Sequence, residues 1–332
     1  MATATTNDAL DEPGPSPFRG RPPSSLAYST KMGRMLLGSS DIVLASEDLA
    51  RHRGMVDLVF TSPPFPLNRK KRYGNLHGDE YAGWLSAYGS LLKRMLRPAG
   101  SIVIELGNAW ERGSPVMSTL PMKSLLKFQE ENRLFLCQEF VWHNPARLPS
   151  PAQWVNIERI RLKDNFTRLW WLSKVPKPKA DNRRVLKEYS EAMRLLLRSG
   201  TYNSGRRPSE HHIGAKSFLT DNGGAIPGSV LTHANTQAND EYQAYCRAGG
   251  IEQHPARMPV EVAGFFIRLL TDPGDLVLDP FAGSNTTGAA AEALGRYWLA
   301  IEAEKKYVLG SKGRFTGLSS QAPKDQNHGN HS

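Results

Sequence analysis

Apolar residues recur along the chain with two different periods. Short unbroken runs, Val56-Asp57-Leu58-Val59-Phe60 and Leu276-Val277-Leu278-Asp279, stop abruptly in loops that contain Pro or Gly. Such runs suit strands of a parallel sheet buried on both faces. Other stretches have helical spacing. From Glu80 to Leu96 the apolar positions are Tyr81, Trp84, Leu85, Tyr88, Leu91, Leu92 and Met95, and Pro98-Ala99-Gly100 ends the element. Further strands are predicted at Ser101–Leu106, near Leu134–Trp142, at Leu169–Leu172 and at Tyr297–Ile301. Further helices are predicted around Pro121–Glu131, over Val260–Leu270 and from Ala289 to Leu294. The alternation predicts an α/β fold with a doubly wound sheet, whose ligands bind at the carboxyl ends of the strands.

The rhythm fails in three places. Residues 1–30 are rich in Pro, Ser, Gly and Thr without any period and read as a disordered N-terminal arm, and residues 316–332 read as a disordered tail. Residues 176–250 are basic and full of Gly, Asn and His, which suggests an inserted substrate-recognition region. The plan is therefore a first half of the sheet domain at 31–175, the insert at 176–250, and a second half at 251–315.

Composition narrows the class. The 332 residues carry 42 Lys+Arg against 32 Asp+Glu, a formal charge of +10, with 39% hydrophobic residues. That suits a globular chain with an ample core. No stretch approaches the roughly 20 apolar residues of a membrane helix, and the N-terminus lacks the basic and apolar segments of a signal peptide. Cys137 and Cys246 cannot build a disulfide framework, neither sits in a Pro-Cys nucleophile motif, and no CxxC or HExxH suggests a metal site. The excess charge is local: Arg69, Lys70, Lys71 and Arg72 contribute +4, and residues 177–216, with ten Lys/Arg and four Asp/Glu, contribute +6. Clusters of this kind mark a polyanion site or a solvated face.

Two loops carry candidate chemistry. After the second apolar run comes Pro280-Phe281-Ala282-Gly283-Ser284-Asn285-Thr286-Thr287-Gly288, and Glu302 ends the next predicted strand. Small residues let the backbone approach a ligand, and an acid at that strand end accepts ribose hydroxyls. The loop is neither a GxGxxG turn nor a P-loop, because no Lys follows Gly288. A cofactor with adenosine and no phosphate fits it, and S-adenosylmethionine is such a cofactor. The first apolar run leads into Thr61-Ser62-Pro63-Pro64-Phe65. Consecutive prolines remove amide donors and leave carbonyl acceptors. With the Ser62 hydroxyl and the Phe65 ring, they suit a flipped base that presents an exocyclic amine.

Ser62-Pro63-Pro64-Phe65 resembles the catalytic SPP(Y/F) motif of the DNA amino-methyltransferases, and Asp279-Pro280-Phe281-Ala282-Gly283-Ser284-Asn285-Thr286-Thr287-Gly288 resembles their DPFxGSxTT cofactor motif. Their order is that of the β arrangement, and Ser before Pro-Pro resembles the N4-cytosine subgroup. The similarity extends through Asn144–Pro151 and His254–Pro259 and covers most of the chain from about 35 to 315.

The resemblance implies a Rossmann-like, S-adenosylmethionine-dependent methyltransferase sheet with an inserted target-recognition region. It implies methyl transfer to N4 of cytosine in duplex DNA by base flipping, as a type II modification enzyme that protects DNA from a cognate restriction endonuclease. A monomer in the bacterial cytoplasm, associated with the nucleoid, is the expected form. Ser62 and the Pro63 carbonyl take the amine, Pro64 fixes their loop, Phe65 stacks on the base, and Glu105 occupies the position of an acid that pairs with the serine. Asp279, Pro280, Phe281, Gly283, Ser284, Asn285, Thr286 and Thr287 form the cofactor loop, with Glu302 on the ribose. Pro255, Met258 and Pro259 close over the methionine end.

Where the family often has Gly-Asp, this chain has Gly38-Ser39, so the adenine contact falls to Ser39 or Asp41. Arg69, Lys70, Lys71 and Arg72 are expected on phosphates flanking the target base; Arg183, Arg184, Arg206, Arg207, His211 and His212 are candidates for groove or phosphate contacts. Trp170-Trp171 reads as core, whereas His143-Asn144-Pro145 reads either as a capped strand end or as a border of the base pocket. Two alternatives share the scaffold: methylation of adenine N6, and a catalytically inactive nucleic-acid-binding regulator.

Overall fold

The computed structural model describes residues 16–18, 23–65, 78–202, 204–206, 212–214, 218–235 and 240–316. The expected buried runs become β3 (Val56–Thr61), β10 (Leu276–Asp279) and β11 (Tyr297–Glu302), joined by β2 (Gly33–Leu37) and β4 (Leu96–Gly107). These strands lie side by side in the order β2-β11-β10-β3-β4, every neighbouring pair parallel. Beyond β4 the sheet turns antiparallel through β6 (Phe166–Ser173) and β5 (Phe135–His143).

Alternate side chains of each parallel strand enter different cores. Val59, Leu278, Leu299 and Ile301 pack with Val43 of α1 (Ser40–Ala45), Leu85 and Leu92 of α2 (Gly78–Met95) and Phe128 of α3 (Leu120–Glu131). Leu58, Phe60, Val277 and Trp298 pack on the opposite face against Phe266 and Ile267 of α6 (Val260–Leu270) and Ala290 of α7 (Thr286–Ala293). This is the doubly wound α/β sheet expected from the apolar runs, and it sends every loop after a parallel strand to one edge. Trp170 is core, 2% exposed, and its indole donates to Glu139.

Two boundaries need correction. The arm expected to run disordered to residue 30 contains β1 (Leu26–Ser29), antiparallel to β2, with Phe18 stacked edge-on against Tyr297. Four residues of alternating burial carry too little periodicity to be seen in the sequence. The expected insert at 176–250 is built into the main body at both ends. Lys179 pairs with Asp272 (2.6 Å) and Asp275, β9 (Val230–Thr232) adds a parallel strand beside β5, and α5 (Glu241–Ala248) packs on α8 (Lys305–Ser311). A reciprocal amide pair, Lys187 to Ala225 at 2.9 Å and back at 2.8 Å, forms the neck of the stretch between them. Past that neck, α4 (Glu191–Ser199) buries none of its residues.

Candidate active site

The loops after β3 and β10 are neighbours because their strands are neighbours, and the carboxylate of Asp279 ties them together. It accepts the Thr61 hydroxyl (2.8 Å) from the first loop, and the Thr287 hydroxyl (2.6 Å) and Phe281 amide (3.1 Å) from the second. Burial pushes its pKa up to about 6, and these three donors pull against that rise. Above Asp279 lies a cavity of about 550 Å³, walled by Ser62, Pro63, Pro64, Phe65 and Glu105 at one end and by Pro280, Phe281, Gly283, Ser284, Thr286, Thr287 and Glu302 at the other. The size is that of a small-molecule site.

At the first end, Ser62 donates a hydrogen bond to Glu105, and the Thr167 hydroxyl donates to the same carboxyl group at 3.0 Å. Glu105 is 4% exposed on β4. Burial raises its pKa, while the Ser62 and Thr167 hydroxyls and the charge of Arg147 act to lower it. The Phe65 ring lies over Gly107, where an added Cβ would stand 3.1 Å from its Cε2 atom. Asn144 and Arg147 continue this wall, so the end of β5 is both a strand cap and a pocket border; the Asn144 side chain accepts from the Ala146 amide at 3.1 Å.

At the second end the backbone is fixed by side chains. Glu302 accepts the Gly283 amide at 2.7 Å and the Glu304 amide at 2.8 Å, and burial raises its pKa. Gly283 sits at φ +52° with the His254 imidazole above it, 3.0 Å from where a Cβ would be. Any other residue would be strained there twice over. Arg314, itself largely buried, donates to the Ser284 carbonyl (2.7 Å) and hydroxyl (3.0 Å). Phe281 meets Trp84 and Tyr88 of α2, with centroids 5.7 Å and 5.0 Å away.

Several expected positions differ in role. Asn285 is fully buried and caps α7 by accepting the Gly288 amide at 3.1 Å, so it shapes the loop from below and is not part of the cavity wall. From the His254–Pro259 segment, His254, Ala256, Arg257 and Met258 line the cavity, while Pro255 does not and Pro259 precedes α6 as its cap. Ser39 is at the wall and donates to Asp41, which lies outside it; Gly38 gives its amide to the Glu302 carbonyl at 3.0 Å. Trp84, Tyr88 and His254 were missed as site residues. A helical aromatic stripe looks alike whether it meets core or cavity.

The basic candidates divide sharply. Arg184 is 30% exposed and bound to Asp272 and the Thr271 carbonyl (2.8 Å), so its charge is used in joining 176–185 to the sheet. Arg183 pairs with Asp181 yet is 83% exposed. Arg206 and His212 lie in a short two-stranded ribbon, Gly205–Arg206 with His212–Ile213. Arg69, Lys70, Lys71, Arg72, Arg207 and His211 lie outside the described residues.

Comparison with known proteins decides the family. The profile of the DNA methylase family matches residues 56–312, from β3 through the cofactor loop to α8. This chain is a DNA methylase. It is 42% identical over 317 residues to the type II methyltransferase M.PvuII of Proteus hauseri, covering 95% of this chain and 90% of that protein. It is 28% identical over 257 residues to M.BglII of Bacillus subtilis, covering 76% of this chain and 61% of that protein. The solved structure of the PvuII DNA methyltransferase (cytosine-N4-specific) superposes with a TM-score of 0.70 at 37% identity, over 88% of this methylase and 89% of that chain. The family is dependent on S-adenosylmethionine. The doubly wound sheet and the two loop motifs thus belong to a DNA methyltransferase fold.

Proposed function

We propose that this methylase transfers a methyl group from S-adenosylmethionine to N4 of a cytosine extruded from duplex DNA. The observation that carries the reading is that Ser62, Pro63, Phe65 and Glu105 line the same cavity as Phe281, Gly283 and Glu302.

The walls fit the cofactor. Phe281, backed by Trp84 and Tyr88, offers an aromatic face for a purine. The Glu302 oxygens each keep a lone pair beyond the amides they accept, as ribose hydroxyls require. The missing Cβ at Gly283 keeps the floor low beneath His254. S-adenosylmethionine supplies a methyl group on a sulfonium, which is a strong leaving group.

The protein's part is to hold and polarise the amine. Ser62 directs its hydroxyl hydrogen to Glu105, which leaves the oxygen's lone pairs free to face a donor. Pro63 contributes a carbonyl, and neither Pro63 nor Pro64 has an amide hydrogen to compete for it. Two acceptors on the amine hydrogens stabilise the positive charge that develops on nitrogen. A carboxyl group with a raised pKa is suited to take the departing proton through Ser62. Phe65 is placed to leave Gly107 and stack on the base.

We propose a monomer, paired with a cognate restriction endonuclease and working in the cytoplasm on nucleoid DNA; the 42% identity to a type II methyltransferase supports the modification role. Among the described residues, no helix is long and apolar enough to cross a membrane. The lobe beyond the Lys187–Ala225 neck is the candidate for groove reading. Labelled methyl transfer to duplex DNA tests the core of the proposal. Incorporation is expected; binding without incorporation into any duplex would make this chain an inactive regulator.

A further inference from the structure

Between β5 and β6 the chain makes an excursion, residues 144–165. It starts at the wall, where Asn144 and Arg147 line the site. Its far end is pinned, with Asn108 donating to Asp164 at 2.7 Å and Asp164 giving its amide to the Ser150 carbonyl at 2.9 Å. Midway, Trp154 packs on Trp110 with centroids 5.6 Å apart.

An arm so well anchored still shows large aliphatic side chains to solvent. Leu148 is 81% exposed and Leu162 is 90% exposed. The same segment carries Arg147, Arg159, Arg161 and Lys163 against Glu158 and Asp164; Arg147, Arg161 and Lys163 donate to backbone carbonyls, which leaves their charge uncancelled, whereas Asp164 is engaged by Asn108. Aliphatic groups interleaved with cations are poor for solvent and poor for a membrane core. They fit duplex DNA, whose phosphates take the cations and whose base stack takes apolar wedges.

We propose that this arm contacts the DNA and that Leu148 fills the space left in the stack when the target base leaves it. Leu148 is chosen over Leu162 because it follows Arg147, so its backbone is one residue from the cavity wall. The inference rests on the base-flipping reading above. Extrusion costs a few kcal/mol of lost stacking and pairing, least where the target is mispaired. A side chain that props the gap therefore matters most on a fully paired site.

The experiment compares wild type, Leu148→Ala and Leu162→Ala on matched duplexes and on duplexes with the target cytosine mispaired, with 2-aminopurine fluorescence as a second readout. Leu148→Ala is expected to lose about tenfold in kcat/KM on the matched duplex, the size of ~1.4 kcal/mol, and to recover most of it on the mispaired one. Its affinity for S-adenosylmethionine should not change, and Leu162→Ala should lose less. The proposal is overturned if Leu148→Ala matches wild type on paired DNA, or if its loss is equal on mispaired DNA, as a merely structural role would give. Failure of base flipping itself looks different: the wild type then shows neither a fluorescence rise nor a preference for mispaired targets.

Discussion

The two loops that meet over Asp279 are held in opposite ways. The cofactor loop is fixed from every side: by Asp279 at Phe281 and Thr287, by Glu302 at Gly283, by Asn285 at Gly288 and by Arg314 at Ser284. The catalytic loop has the Thr61 bond to Asp279, the Ser62 bond to Glu105, and the Phe65 ring resting on Gly107. Its prolines decline amide hydrogen bonds altogether. A site that binds one small molecule gains from a rigid turn. A loop that receives and releases a base, as proposed for this one, gains from exposed acceptors and an aromatic ring at its end. Asp279 is where the two loops share one anchor.

The largest expected effect separates the two loops. Ser62→Ala should lower single-turnover methyl transfer by roughly 10²- to 10³-fold, the range for removing one preorganised polar partner of a transition state. Calorimetric affinity for S-adenosylmethionine should stay unchanged, since no contact of the cofactor loop is touched. An equal loss in both would mean the loops are not distinct.

Next comes the link itself. Asp279→Ala leaves the Thr61 and Thr287 hydroxyls and the Phe281 amide without their partner, at about 1–3 kcal/mol for a buried orphan. Both cofactor affinity and rate should fall, and the chemical-denaturation midpoint with them. The ionisation has a sign. The folded pKa of about 6 stands above the ordinary 3.8, so the contribution of Asp279 to stability is fully present below pH 3.8 and is lost as pH rises through about 6. Asp279→Asn should flatten the dependence of stability on pH between those values, measured by denaturant titrations across the window. A slope unchanged by the substitution would remove Asp279 as its source.

Gly283→Ala sharpens the rigid side. A left-handed backbone at φ +52° costs an L residue about 1–2 kcal/mol, and His254 adds a steric contact. The dissociation constant for S-adenosylmethionine should rise about tenfold, with little change in rate once the cofactor is saturating.

The smallest effect concerns two adjacent arginines. Arg183→Ala should reduce the salt slope of DNA binding by about 1. Arg184→Ala should leave that slope alone and lower stability, because Asp272 and the Thr271 carbonyl lose their partner.

Much of this was legible in the sequence where strand, turn and helix are contiguous. Val56–Phe65 and Leu276–Gly288 each spell a buried strand and the loop it delivers, so Ser62, Phe281, Gly283 and Glu302 could be placed with their partners in mind. What escaped depends on distant packing. Trp84 and Tyr88 share a helix face with core residues, and only the position of Phe281 assigns them to the cavity wall. Arg184 looked like one more cation of a basic cluster until the fold set it beside Asp272. Asn285 reads as a loop residue, whereas its side-chain oxygen, accepting the Gly288 amide, makes it the cap of α7. The strand Val230–Thr232 has three residues, too few for any period to register.

The central claim is that Ser62, aligned by Glu105, accepts hydrogens from a cytosine amine. Nucleoside mass spectrometry of duplex DNA methylated by the wild-type chain tests it most directly. N4-methylcytosine is the expected product, formed roughly 10²- to 10³-fold more slowly by Ser62→Ala under the same conditions; N6-methyladenine as the product would overturn the assignment.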